Sequence, residues 1–152
     1  MPTEQAGSNS ALTETATKAI DAAREELFGI ALDIHAHPEL NYQEFYAAKL
    51  LSDTLEAHDF AVERGIGGVE TAFRATLEGG AGDGPTVAVL AEYDALPEIG
   101  HGCGHNLIAM AGFGAVLGVH ANMKNLPGPL VAIGPPADAG GGGPLQLFAD
   151  GF

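Results

Sequence analysis

The sequence is poor in basic residues. Six lysines and arginines stand against twenty aspartates and glutamates, which gives a formal net charge of −14. Binding to nucleic acid or to an anionic membrane surface requires a cluster of positive charge. The composition therefore argues against both kinds of partner, and we expect the excess of acidic side chains to form a solvated surface.

Cysteine and long apolar runs are also scarce. Cys103 is the only cysteine, so an intramolecular disulfide is excluded and the chain fits a reducing compartment such as the cytoplasm. The first ten residues lack the basic and apolar regions of a secretory signal. The most apolar stretch, 107–119, is too short to span a bilayer. The 152 residues, 46% of them hydrophobic, are enough for one domain.

The hydrophobic pattern predicts an α/β fold. After a segment expected to be disordered, 1–10, apolar residues recur every three or four positions from Leu12 to Ile34, which is typical of an amphipathic helix. Further elements are predicted in the order helix 41–58, strand 60–64, strand 71–77, strand 86–91, helix 107–122 and strand 130–134. In the helix 41–58 we expect Phe45, Leu51 and Leu55 to face the core.

Two of the predicted strands, 86–91 and 130–134, are continuously apolar. Such runs favour strands buried on both faces, as in parallel sheets. Helices between strands of this kind predict a doubly wound, mostly parallel sheet with flanking helices.

Residues capable of chemistry concentrate in the loop before the helix 107–122. Cys103 and His105 lie two positions apart on a glycine-rich segment. Cys103 is open to three interpretations: an inert thiol, a nucleophile paired with a histidine, or a metal ligand acting with His105. Thiolate and imidazole suit zinc, which favours metal ligation. By spacing alone, His101 is a candidate third ligand.

Two acidic residues lie just upstream in the same loop. Asp94 can cap a turn, as most loop aspartates do, or it can orient a histidine ligand beside a bound cation. Glu92 is a weaker candidate for either role.

These segments resemble the two-zinc amidohydrolase family of aminoacylases and carboxypeptidase G. The resemblance is closest to its branch of cytosolic β-alanyl-lysine-type dipeptidases and p-aminobenzoyl-glutamate hydrolase. It extends from about Ala22 and includes the segments 35–40, 71–75, 92–106 and 134–143. It implies that residues 11–152 form an incomplete catalytic domain. The second catalytic half and the domain through which the family homodimerises would lie beyond these residues.

The resemblance also implies roles for individual residues. Cys103 and His105 would bind the metal, which is zinc or another divalent ion such as manganese or cobalt, and Asp94 would support the site. His101 matches a position that is not usually a ligand, and His35 and His37 match a structural motif. The implied reaction is hydrolysis of an amide bond, in an N-acyl amino acid or dipeptide, by a water whose pKa the metal lowers.

One departure from the family concerns a pair of glutamates, the first a general base and the second a metal ligand. Here the pair is Asp138 and Ala139. Asp138 keeps a carboxylate with a reach about 1.5 Å shorter, and Ala139 has no donor atom in its side chain. We therefore expect weak metal binding and little or no hydrolysis. The alternative is a non-catalytic binding or interaction protein.

Overall fold

The computed structural model describes residues 3–149. Over this range the elements are α1 (Thr3–Ala22), α2 (Arg24–Ala36), α3 (Phe45–Ala57), β1 (Ala61–Arg64), β2 (Phe73–Leu77), β3 (Val87–Leu90), α4 (His105–His120), β4 (Leu130–Gly134) and α5 (Gly143–Ala149), with 3₁₀ turns at Ile66–Gly68 and Met123–Asn125. None of the described helices is long and apolar enough to cross a membrane.

The four described strands form one sheet in the order β1-β2-β4-β3. The predicted α/β class with flanking helices is confirmed. The sheet itself is mixed, because β2 pairs antiparallel with both β1 and β4, and β4 pairs parallel with β3. The expectation of a mostly parallel sheet is corrected accordingly. A short connection between β1 and β2 suits antiparallel strands, whereas the crossover through α4 suits the parallel pair.

The predicted helix over 12–34 is divided at Ala23 into α1 and α2. Hydrogen bonding continues through the division, since Ala23 N donates to Ala19 O at 3.1 Å and Leu27 N donates to Ala23 O at 2.9 Å. The segment 3–10, within the stretch predicted to be disordered, is helical, because each residue added to an existing helix gains a hydrogen bond. Residues 1 and 2 lie outside the described residues.

Helix α4 is the central helix, as its apolar circumference predicts. It packs against α1, α2, β3 and β4 and buries Ala109, Phe113 and Val116. Gly112 permits its close approach to the sheet, because a Cβ there would lie 2.8 Å from the carbonyl oxygen of Leu90. The helix begins at His105, two residues earlier than predicted, and Gly104 precedes it with a φ of +87°. His105 therefore has a backbone position fixed by the helix.

The two apolar strands have different environments. β4 lies between β2 and β3 and is buried throughout, as predicted. β3 was expected to be buried on both faces, and this was wrong: Val87 is 55% exposed and Leu90 is 37% exposed. The reason is its position, since β3 is an edge strand among the described residues and pairs there only with β4.

Helix α3 is shorter than predicted because residues 41–44 form a turn before it. Leu51 and Leu55 are buried as expected. Phe45, expected to face the core, is the first residue of the helix and is 50% exposed. The residue at this point that enters the core is Glu44, whose side chain is fully buried.

The Glu44 carboxylate accepts three hydrogen bonds. Oε1 accepts from the backbone N–H of Tyr42 and of Ala137, both at 2.9 Å, and Oε2 accepts from Thr71 Oγ1 at 2.9 Å. A buried carboxylate is tolerated when its oxygens are satisfied in this way. Glu44 thus joins the start of α3, the segment before β2 and the loop that follows β4.

We expect Glu44→Ala to lower the free energy of unfolding by about 2–4 kcal/mol, because it leaves the buried N–H of Ala137 and the partly buried N–H of Tyr42 without an acceptor. Glu44→Gln should cost less, since its Oε1 still accepts from both N–H groups and its amide can donate to Thr71 Oγ1. Urea denaturation followed by circular dichroism measures both. The control is Glu70→Ala at an exposed position, and an equal effect of the two alanine substitutions would contradict this account of Glu44.

Candidate metal centre

The structure fixes the orientation of the His105 ring. The side chain is 8% exposed, and its Nδ1 lies 2.8 Å from Asp94 Oδ1 and 3.0 Å from the Asp94 carbonyl oxygen. Since both neighbours are acceptors, Nδ1 carries a hydrogen, and Nε2 is the nitrogen whose lone pair is available to a cation. Metal-binding histidines are held by a carboxylate in this way. His105 is therefore prepared to bind a cation through Nε2.

Asp94 is itself fixed from the other side. Its carboxylate is fully buried, and Oδ2 accepts from the backbone N–H of Ala139 at 2.9 Å. With the Asn41 amide oriented to satisfy both of its neighbours, its nitrogen donates to Asp94 Oδ2 at 2.9 Å and its oxygen accepts from Gly141 N at 3.2 Å. Asp94 thus contacts both His105 at the start of α4 and the loop after β4.

Two more carboxylates face the free nitrogen of His105. Nε2 lies 3.6 Å from Glu92 Oε2 and 3.7 Å from Asp138 Oδ2, and one potential ligand atom of each residue lies within 4.8 Å of the others. Two ligands that each lie about 2.1 Å from a tetrahedral ion are separated by roughly 3.4 Å. The donors and their spacing fit a divalent cation.

The protonation equilibrium of Glu92 reflects this crowding. Burial raises the pKa of its carboxyl group, the negative charges of Asp138 and Asp94 raise it further, and His105 acts in the opposite direction. A cation among these groups would offset the repulsion between the carboxylates.

The sequence-predicted residues are only partly brought together. Asp94, His105 and Asp138 lie in one cluster, whereas Cys103 is exposed in the turn before α4 and does not belong to the group of potential ligands found among the described residues. Ligation by Cys103 remains a prediction. Glu92, considered weaker from the sequence, faces the site; the available signal was its position two residues before Asp94, where side chains of an extended segment point to the same side.

The loop that carries Asp138 is held at several points. Tyr42 Oη donates to the carbonyl oxygen of Gly141 at 2.6 Å, and the N–H groups of Ala137 and Ala139 donate to Glu44 and Asp94. Ala137 has a φ of +55°, which is uncommon for a residue with a side chain. The loop is therefore shaped by tertiary contacts on both sides of Asp138.

His101 lies near the centre without joining it. It is 7% exposed, and neither ring nitrogen has a hydrogen-bond partner in the part of the chain that the structure describes. Burial lowers the pKa of His101 from its ordinary value of 6.5, and the nearby His35 lowers it further. The folded protein therefore favours the neutral form of His101.

This shift predicts a pH dependence of stability. Below pH 6.5 the unfolded chain protonates His101 more readily than the folded chain does, so the free energy of unfolding should fall as the pH decreases from 6.5 towards the lower folded pKa. His101→Gln should reduce this loss. Urea denaturation at about pH 7.5 and about pH 5.5 measures it, with the exposed His37→Gln as control. Identical pH dependence in the wild type and His101→Gln would contradict the prediction.

Comparison with known proteins gives relatives among hydrolases. No family model matches the chain. The human Xaa-Arg dipeptidase is 39% identical over 148 residues, which cover 87% of this chain and 34% of the human protein. A p-aminobenzoyl-glutamate hydrolase of Escherichia coli K12 is 34% identical over 152 residues, which cover 88% of this chain and 31% of that protein. The chain thus spans about a third of the length of these curated relatives.

Solved structures agree with the sequence comparison. The Bacillus subtilis YXEP protein, a dinuclear metal-binding peptidase from the M20 family, superimposes with a TM-score of 0.77 at 26% identity over 86% of this chain and 40% of that one. A putative aminohydrolase from methicillin-resistant Staphylococcus aureus shares the fold, with a TM-score of 0.76 at 24% identity over 91% of this chain and 39% of that one. By sequence and fold, the chain is similar to dipeptidases and amidohydrolases, among them a dinuclear metal-binding peptidase, and it corresponds to about a third of the length of its curated relatives.

Proposed function

We propose that this chain forms the part of an amidohydrolase catalytic domain that holds a divalent cation, in an enzyme that hydrolyses the amide bond of an N-acyl amino acid or a dipeptide. The observation that carries the proposal is the state of His105, whose Nδ1 is bound to buried Asp94 and whose Nε2 faces two carboxylates. Relatives named as an Xaa-Arg dipeptidase and a p-aminobenzoyl-glutamate hydrolase support the substrate class.

His105 would hold the cation, with Cys103 as the further ligand that the family resemblance implies. Zinc suits thiolate and imidazole donors, and manganese or cobalt are the alternatives. When bound, the cation would polarise the substrate carbonyl and lower the pKa of a water molecule.

Asp138 is the proposed proton acceptor. Its Oδ2 lies 3.7 Å from His105 Nε2 and its side chain is 35% exposed, so it is accessible to water beside the cation. An aspartate reaches about 1.5 Å less far than a glutamate, and general-base catalysis contributes roughly 10²–10⁴-fold to a rate. The proposal therefore includes slow hydrolysis by this chain.

Charge and cysteine usage support the remaining parts of the proposal. Twenty acidic residues against six basic ones favour a small-molecule substrate over nucleic acid. One free cysteine, Cys103, is consistent with a cytoplasmic location.

Substitution of Asp138 tests the proposed reaction. With zinc or manganese supplied, Asp138→Glu should raise the rate of hydrolysis at least about tenfold, because the longer side chain restores the reach of the base. Asp138→Asn should reduce the rate to that of chelator-treated protein. The measurement is release of amino acid from dipeptides with carboxy-terminal arginine and from p-aminobenzoyl-glutamate.

Three results would contradict the proposed function: absence of divalent-cation binding by the wild type, hydrolysis that persists in chelator, or no hydrolysis by cation-loaded Asp138→Glu. Activity that survives chelator and disappears in Cys103→Ser would instead identify Cys103 as a nucleophile.

A second candidate function is a non-catalytic interaction protein. The observation in its favour is the edge strand β3, on which Val87 and Leu90 are exposed; apolar strand edges tend to pair with other chains. Under this alternative, light scattering would show an assembly that Val87→Lys dissociates and Leu32→Lys, at an exposed position on α2, leaves intact. A monomeric wild type would count against it.

A further inference from the structure

We propose that Glu92 is a ligand of the cation held by His105. The inference rests on the proposed function and extends it, because neither the spacing of Cys103 and His105 nor the family resemblance assigns a ligand role to Glu92. Ala139 stands where the family has a glutamate ligand, and its side chain has no donor atom. Glu92 would supply a carboxylate ligand to the site.

The first argument is distance. Glu92 Oε2 lies 3.6 Å from His105 Nε2, close to the separation of roughly 3.4 Å expected for two ligands of one tetrahedral ion. A hydrogen bond between a protonated imidazole and a carboxylate is shorter, about 2.7–2.9 Å. The separation from Asp138 Oδ2 is 3.7 Å. The space between His105 and the two carboxylates therefore suits an ion better than a shared proton.

The second argument is the direction of the His105 lone pair. The hydrogen on Nδ1 is directed to Asp94 Oδ1, 2.8 Å away, so Nε2 is the ring nitrogen whose lone pair a cation can use. When that lone pair is free, the imidazole and the two carboxylates are all electron-pair donors. A cation would stabilise this arrangement, in which the nearly buried imidazole and two carboxylates face one another.

The third argument is the rigidity of the segment that carries Glu92. Ala91 N donates to the carbonyl oxygen of Ile133 at 2.9 Å, which extends the pairing of β3 with β4. Tyr93 is fully buried, and its Oη lies 2.6 Å from Thr71 O and 2.9 Å from Gly134 O. Glu92, with a side chain only 22% exposed, lies between two fixed residues. The sheet therefore holds the backbone of Glu92 beside the site.

The fourth argument is the number of ligands. Catalytic zinc sites normally have three protein ligands, and of the two motif residues, Cys103 and His105, only His105 lies in the ligand group found among the described residues. Glu92 supplies a further protein donor to that group. A carboxylate in the set also widens the choice of cation towards manganese, since oxygen donors suit harder ions.

Cobalt binding tests the ligand role without an assay of activity. We expect Glu92→Gln to weaken Co²⁺ affinity, measured by titration of the visible absorbance and by zinc competition, by at least about tenfold. The matched control is Glu98→Gln, an exposed residue of the same loop that removes the same charge. Glu92→His, which replaces one ligand type by another, should restore binding relative to Glu92→Gln.

The outcomes separate this inference from the proposed function. A wild type that binds Co²⁺ while Glu92→Gln binds it equally well, or while Glu98→Gln is weakened as much, overturns the role of Glu92 alone. A wild type that binds no divalent cation overturns both. Should Glu92→Gln lose its native circular dichroism, the comparison of folded Glu92→His with Glu92→Ala decides: equal affinity overturns the inference and tighter binding by Glu92→His supports it. The thiolate-to-cobalt band reports Cys103 separately.

Discussion

The hydrogen bond between His105 Nδ1 and Asp94 Oδ1, 2.8 Å long, is the interaction on which the candidate site depends. It fixes the tautomer of the ring, and it leaves the Nε2 lone pair facing Glu92 and Asp138. With the opposite tautomer, Nε2 would carry a hydrogen and the cluster would have no imidazole donor for a cation. The proposed metal binding therefore depends on the hydrogen of His105 lying on Nδ1, towards Asp94.

Two buried carboxylates, Glu44 and Asp94, hold the loop after β4 beside that hydrogen bond. Glu44 accepts from the N–H of Ala137, and Asp94 accepts from the N–H of Ala139. Both side chains are fully buried, where an unsatisfied charge would be costly, so the backbone donors they bind are held firmly. Asp138 lies between the two anchored residues. Its position is a consequence of contacts made by its neighbours.

Close packing at the end of β4 contributes to the same arrangement. A Cβ at Gly134 would lie 2.1 Å from the ring of Phe73, so glycine is required there. The Phe73 ring stacks on Tyr93, with ring centroids 6.0 Å apart. Tyr93 in turn separates Glu92, which faces the site, from Asp94, which lies behind His105. The core beneath the site thus anchors the segment that carries the two acidic residues.

From the sequence alone, local pattern was enough for the α/β class, for buried β4 and for the central helix α4, because these follow from periodicity. The contact between Asp94 and His105 is one of two roles that the loop sequence leaves open for Asp94. The mixed pairing of the sheet, the exposure of β3 and the fully buried Glu44 depended on which segments meet in space. So did the grouping of Glu92, His105 and Asp138, and the place of Cys103 outside it. Residue types indicate which side chains can bind a metal, but a site also requires the right distances between them. Only the folded chain brings potential ligand atoms of residues 92, 105 and 138 within 4.8 Å of one another.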